Sequence, residues 1–205
     1  MYNRLQYIAA SYEQLQGALD AGCTWIQLRC KNIPEKDYCT LAIRSKLLCE
    51  RYKATFIVND SVTVAQYAGA DGVHLGLEDG SIRVARNILG PQQIIGGTAN
   101  TLVHLHRRVA EGCNYIGLGP FRFTTTKQKL SPILGLEGYQ SLLAAIDCPL
   151  PVYAIGGITA ADVPALLDAG VHGVAVSGVI TAAEDKQHIV SQFNQMLYGR
   201  FANSR

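Results

Sequence analysis

The chain has 205 residues, 48% of them apolar and 17% charged, with a formal net charge of +2. This is ample apolar material for one domain spanning residues 1–205, and too little positive charge for a nucleic-acid-binding face. No run of about 18 apolar residues occurs, and the start "MYNRLQYIAAS" lacks the apolar centre and cleavage site of a secretory leader, so neither a membrane span nor export is expected.

In chain order, the first β-type runs are "LQYIAA" (5–10) and "TWIQLRC" (24–30). A helix is predicted over Lys36–Tyr52, then the strands "TFIVND" (55–60) and "GVHLG" (72–76). A helix over Ser81–Leu89 leads to "QIIGGTA" (93–99), and one over Leu102–Ala110 to "YIGLGP" (115–120). The polar stretch "FRFTTTKQKLSP" (121–132) exceeds an ordinary connection of roughly 2–6 residues and is expected to act as a lid over bound ligand. Then come a helix over Glu137–Ile146, the strand "PVYAIGG" (151–157), a helix over Ala160–Ala169, the strand "HGVAVSG" (172–178) and a last helix over Asp185–Tyr198. The six cysteines (Cys23, Cys30, Cys39, Cys49, Cys113, Cys148) form no C-x-x-C pair; they suit small buried hydrophobes in a reducing cytoplasm.

Four segments echo one another: "GCTWIQL" (22–28), "GADGVHL" (69–75), "GCNYIGL" (112–118) and "GVHGVAV" (170–176). In each, a glycine closes a helix and a strand follows. They fall on strands two, four, six and eight. Eight strand–helix units with this repeat predict an α/β fold, a closed (βα)8 barrel. The rival, an open doubly wound sheet, lacks its G-x-G-x-x-G turn here.

Function in such a barrel resides at the carboxyl ends of the strands. There the chain places Gln27, Arg29 and Lys31; Asn59 and Asp60; Glu78 and Asp79; Thr98 and Asn100; Thr124, Thr125, Thr126 and Lys127; Gly156 and Gly157; and Ser177 and Gly178. Arg29, Lys31 and Lys127 suit phosphate oxygens. Asp60 and Asp79 are hard oxygen ligands of the kind that hold Mg²⁺, and the glycine pairs offer bare N–H groups to an anion. Taken singly, each has a plainer reading. Asp60 could cap a helix, as could Ser81 and Thr159; Asp79 could serve a turn, as could Gly156 and Gly157; Lys31 could simply be solvated. His74 reads as a hydrogen-bonded core histidine, His104, His106, His172 and His188 as groups on helix faces or a loop, and Arg107-Arg108 as a solvated helix face. Co-location at one mouth favours the functional reading.

Seven motifs in register, "QLRCK", "VND", "GADGVHLG-ED", "IIGGTANT", "YIGLGPFRFTTTK", "AIGGI" and "GVAVSG", resemble the thiamine phosphate synthase family. That family joins a hydroxymethylpyrimidine pyrophosphate to a thiazole phosphate and releases pyrophosphate. The resemblance implies that Gln27, Leu28, Arg29, Cys30, Lys31, Asn59 and Thr98 hold the pyrimidine pyrophosphate, with Lys127 on its pyrophosphate. It implies Mg²⁺ on Asp60 and Asp79. Thr124, Thr125 and Thr126 would face the thiazole phosphate, whose phosphate Gly157, Ser177 and Gly178 would cradle. Arg29, Lys31 and Lys127 become the catalytic cations. The partners implied are two small-molecule substrates, and a homodimer is compatible with the sequence. Leu77 stands where the family has glutamine, Asn100 where it has histidine, Thr98 where serine is common, and "IAAS" replaces "TD" after the first strand. A thiazole tautomerase of the same superfamily would need neither pyrophosphate nor Mg²⁺, and a non-catalytic phosphate sensor would shed charged residues; retention of the cations and both aspartates separates the synthase from either.

Overall fold

Residues 2–124 and 132–202 are described by the computed structural model. Among them, eight strands pair in parallel, each with its sequence neighbour, and the first pairs with the last. They are β1 (Leu5–Ala9), β2 (Trp25–Leu28), β3 (Thr55–Asn59), β4 (Gly72–Leu75), β5 (Ile94–Ala99), β6 (Tyr115–Leu118), β7 (Val152–Ile155) and β8 (Gly173–Val176). This is the closed (βα)8 barrel that the repeat predicts. Nearly every strand residue is buried, because one set of side chains faces the lumen and the alternate set faces the helices.

Outward residues such as Ile26, Leu28, Phe56, Val58, Val73, Leu75, Ile116 and Leu118 belong to the main core under the helices. Inward residues Trp25, Ile57, Tyr115 and Tyr153 form a separate cluster, with Tyr2 packed against it. The Trp25 ring meets Tyr115 edge-on at 5.0 Å and Tyr153 at 4.9 Å between centroids, a favoured aromatic geometry. The four-fold echo therefore has a packing meaning. Its strands begin with Trp25, Gly72, Tyr115 and Gly173, alternately large and bare. A Cβ at Gly72 would collide with the Ile94 backbone, and one at Gly173 with that of Arg4. The preceding glycines Gly22, Gly69, Gly112 and Gly170 all have positive φ, as helix-terminating glycines require.

The helices are α1 (Tyr12–Asp20), α2 (Glu35–Arg51), α3 (Val62–Tyr67), α4 (Ile82–Leu89), α5 (Leu102–Glu111), α6 (Gly135–Ala144), α7 (Val163–Asp168), α8 (Gly178–Thr181) and α9 (Lys186–Ala202). The stretch expected as one helix over 160–169 divides into a 3-10 turn, Ala160–Asp162, and α7, because Pro164 fits only a first helical turn. Helices α1 and α3 go beyond those marked by periodicity. They are announced by caps, Ser11 accepting from Gln14 N–H and Ser61 from Val64 N–H. The four-residue α8 is too short for any periodic signal.

Candidate active site at the carboxyl end of the barrel

The ends of β2, β3 and β4 bring the first group of candidates together. Lys31 forms an ion pair with Asp60, and the Lys31 side chain is 49% exposed. Gln27 Nε2 lies 3.4 Å from Asn59 Oδ1, and both residues are buried. Ser61 caps α3, so the capping reading of Asp60 fails; Asp60 instead sits at φ 68°, aimed into the mouth beside Lys31. Such a left-handed conformation in a residue other than glycine costs free energy and clusters at functional sites. Asp79 accepts the Gly76 N–H at 2.8 Å, so it does shape its turn, and it also hydrogen-bonds Asp60.

The two carboxyls are shifted in opposite directions. Burial would raise Asp60, but hydrogen bonds with Asp79 and Lys31 and the charges of Lys31 and Arg29 outweigh it and lower its pKa. Burial of the carboxyl, then the hydrogen bond and charge of Asp60, push Asp79 up to about 6. Because Asp79 as a residue is exposed, the neighbouring carboxylate is the cause to weigh most. Two carboxyls this close cannot both ionise freely unless a proton or a cation joins them. Among the described residues no group of three or more His, Cys, Asp or Glu could hold a metal.

Not every residue of the 27–31 segment turns to the mouth. Leu28 is fully buried in the outer core. The Cys30 thiol faces the Ala10 carbonyl at 3.1 Å, at the end of β1. The Thr98 hydroxyl does lie at the lumen's upper end, 3.0 Å from His74 Nε2, while His74 Nδ1 is 3.0 Å from the Tyr115 hydroxyl. His74 is thus the hydrogen-bonded core residue expected.

On the other side, Gly156 and Gly157 have φ of 98° and 66°. A Cβ on either would press on the loop after β6, at 2.8 Å from Pro120 Cβ and 2.9 Å from Arg122 Cβ. Here turn geometry and close approach coincide. The Arg122 guanidinium donates to Gly157 O at 3.0 Å and grips both oxygens of Asp162. Asn100 Nδ2 donates to Gly119 O and to Pro132 O, each at 2.9 Å. The same loop is therefore tied at both ends. Ser177 and Gly178 start α8, and outside the helix's own backbone nothing lies within 4 Å of a Cβ placed on Gly178. Thr124 is half-buried. Thr125, Thr126 and Lys127 lie outside the described residues, as do Lys129 and most of the expected lid.

One set of residues escapes a reading of the sequence. Four polar side chains pin the carboxyl ends of neighbouring strands in pairs. Tyr38 of α2 places its hydroxyl 2.7 Å from Leu28 O and 3.1 Å from Asn59 O, joining β2 to β3. Arg108 of α5 donates to Gly76 O and Thr98 O, joining β4 to β5. Tyr139 of α6 donates to Leu118 O and accepts from Ile155 N–H, joining β6 to β7. Thr181 of α8 bonds Ser177 O and the Tyr7 hydroxyl, joining β8 to β1. The expectation of a solvated Arg107-Arg108 face holds only for Arg107, which is exposed beside Glu111; Arg108 is fully buried, because Gly97 leaves room for its stem.

Comparison with known proteins converges on one family. The family model described as thiamine monophosphate synthase matches residues 4–180. A thiamine-phosphate synthase of Flavobacterium johnsoniae is 54% identical, covering 97% of this chain and 98% of its own. One of Flavobacterium psychrophilum is 50% identical over 96% and 100%. The solved thiamine phosphate pyrophosphorylase of Pyrococcus furiosus superposes with a TM-score of 0.83 at 32% identity, covering 96% of each chain. The paired aspartates, the cations beside them and the glycine turns after β7 and β8 lie in a chain that belongs to the thiamine monophosphate synthase family.

Proposed function

We propose that the mouth binds a pyrimidine pyrophosphate on the β2–β5 side and a thiazole phosphate over Gly157, Ser177 and Gly178. The activity is that of a thiamine-phosphate synthase, a transferase. The observation that supports this division of the mouth most directly is the Lys31–Asp60–Asp79 cluster facing a separate backbone cradle.

The reaction asks for little proton chemistry. The carbon–oxygen bond to pyrophosphate breaks and its electron pair leaves with the pyrophosphate; the thiazole nitrogen's lone pair then forms the new carbon–nitrogen bond. Both ring nitrogens of His74 already have partners inside the barrel, so it is not a free base. Arg29 and Lys31 neutralise the departing charge, and Lys127 adds a third cation from the loop after β6. Holding both reactants in one mouth replaces an encounter in solution. Asp60 and Asp79 suit Mg²⁺: they are hard donors already crowded together, and a site with two carboxylates leaves its other positions to phosphate oxygens and water. When bound, the ion supplies further positive charge to the leaving pyrophosphate. Among the described residues no helix is long and apolar enough to cross a membrane. All six cysteines are free, which supports a reducing, cytoplasmic setting.

The direct test mixes purified protein with both substrates and Mg²⁺ and measures thiamine phosphate and pyrophosphate. Asp60→Asn, chosen because asparagine tolerates positive φ, is expected to lower Mg²⁺-dependent turnover about 100-fold or more. Near-normal turnover in that variant would overturn the metal assignment.

A further inference from the structure

The buried cation of α5 has no part in the reaction as described, yet its placement is unfavourable unless every donor is met. The Arg108 side chain is 0% exposed. Its Nε donates to Thr98 O at 2.9 Å, Nη2 to Gly76 O at 2.8 Å and Nη1 to Glu111 Oε2 at 2.8 Å. Space has been cut for it. A Cβ on Gly97 would fall 2.7 Å from Arg108 Cδ and 2.8 Å from Nε, so a glycine in β5 and an arginine in α5 make one fitted pair. The other pins use a hydroxyl, which has one proton to donate. Tyr38 spans two carbonyls with a hydroxyl that has a single proton to share, whereas the guanidinium gives each of its two carbonyls a separate N–H.

Both carbonyls belong to backbone on which a site group is mounted. Gly76, held at its carbonyl by Arg108, donates its own N–H to Asp79 Oδ2 at 2.8 Å. Thr98, held at its carbonyl, carries the hydroxyl beside His74. We infer that Arg108 is a positioning residue for Asp79. It fixes Gly76 so that the N–H stays aimed at the carboxylate, and it ties that turn to β5 so that Asp79 and Thr98 keep a constant separation. The inference rests on Asp79 as a Mg²⁺ ligand.

The test is calorimetric titration of the full chain with pyrophosphate in the presence and absence of Mg²⁺, with thermal unfolding alongside. Arg108→Met keeps the stem and removes the donors. It is expected to weaken Mg²⁺-dependent pyrophosphate binding about tenfold or more, as loss of a group that orients a metal ligand does, while leaving the KM for thiazole phosphate unchanged. Arg108→Lys, able to reach one carbonyl, should recover part of the affinity. Glu111→Gln keeps both carbonyl bonds and loses the ion pair, so it should lower Tm without changing pyrophosphate affinity. If Arg108→Met and Glu111→Gln lower Tm alike and neither changes affinity, Arg108 is only a structural residue and the inference fails. Should Arg108→Met not fold, wild-type affinity in Arg108→Lys counts against the inference in the same way. Asp79→Asn separates the two ideas. Unchanged Mg²⁺ dependence in that variant defeats the metal reading itself, whereas a defective Asp79→Asn beside a normal Arg108→Met defeats only the positioning role.

Discussion

A chain of four side chains decides which way the Thr98 hydroxyl points. Gln6 Nε2 donates to the Tyr115 hydroxyl at 3.2 Å. Burial raises the Tyr115 pKa, so the phenol keeps its proton, and that proton goes to His74 Nδ1. His74 then carries its hydrogen on Nε2 and gives it to Thr98 Oγ1, which leaves the Thr98 hydrogen free to donate into the mouth. Thr98→Ser should keep kcat/KM within about twofold, whereas Thr98→Val should lower it about tenfold or more, as loss of a hydrogen bond to a charged group would. Nitrogen-15 NMR of His74 checks the premise: a protonated Nδ1 would break it. Of this chain, His74 was legible in the sequence as a histidine inside a strand, and Thr98 as a strand-end hydroxyl. Arg108 was not, since an Arg-Arg pair on a helix looks solvated until the glycine opposite is known.

Among the elements, the loop after β6 is governed by two residues outside the polar run that marks it, Asn100 and Asp162. Asn100 holds both ends through Gly119 O and Pro132 O. It has a definite task in this fold. Asn100→Ala leaves carbonyls unmet and should cost about 2 kcal/mol of stability, with a raised KM for thiazole phosphate and little change in the KM for the pyrimidine; denaturant melts and two-substrate kinetics read both. Arg122 holds the loop to Asp162. The Arg122 hydrogen bond leads the lowering of Asp162 to about 2, burial opposes it, and bonds from the Thr159 N–H and hydroxyl add to it. A carboxyl lowered in the folded state gives stability that is complete above its unfolded pKa near 4 and is lost as pH falls through about 2. Screening of the half-exposed guanidinium leaves about 1 kcal/mol. Asp162→Asn should remove that part of the acid limb, seen in urea midpoints between about pH 5 and pH 2.

At the scale of the whole molecule, the barrel was legible because its strands are apolar on both faces and its repeat marks every second one. The strand starts and most helices fall close to their expected places. The remainder needed three dimensions. The pins of Tyr38, Arg108 and Tyr139 act across 10 to 32 residues and that of Thr181 reaches across 174, and no local pattern joins Tyr38 to Asn59 or Arg108 to Gly76. Segments such as α8 are too short to show a period. The alternation of Trp25, Gly72, Tyr115 and Gly173 also divides the molecule. Residues up to the exposed Pro91-Gln92 turn carry one aromatic and one gap, and the residues beyond carry the same. Each part also brings rings that pack on the other's, since Trp25 meets both Tyr115 and Tyr153 across the division. Two polypeptides separated at that turn should be complementary: mixed, they should regain the near-ultraviolet dichroism of Trp25, and apart, neither should show it. The lumen floor is a joint between two half-barrels as much as a plug.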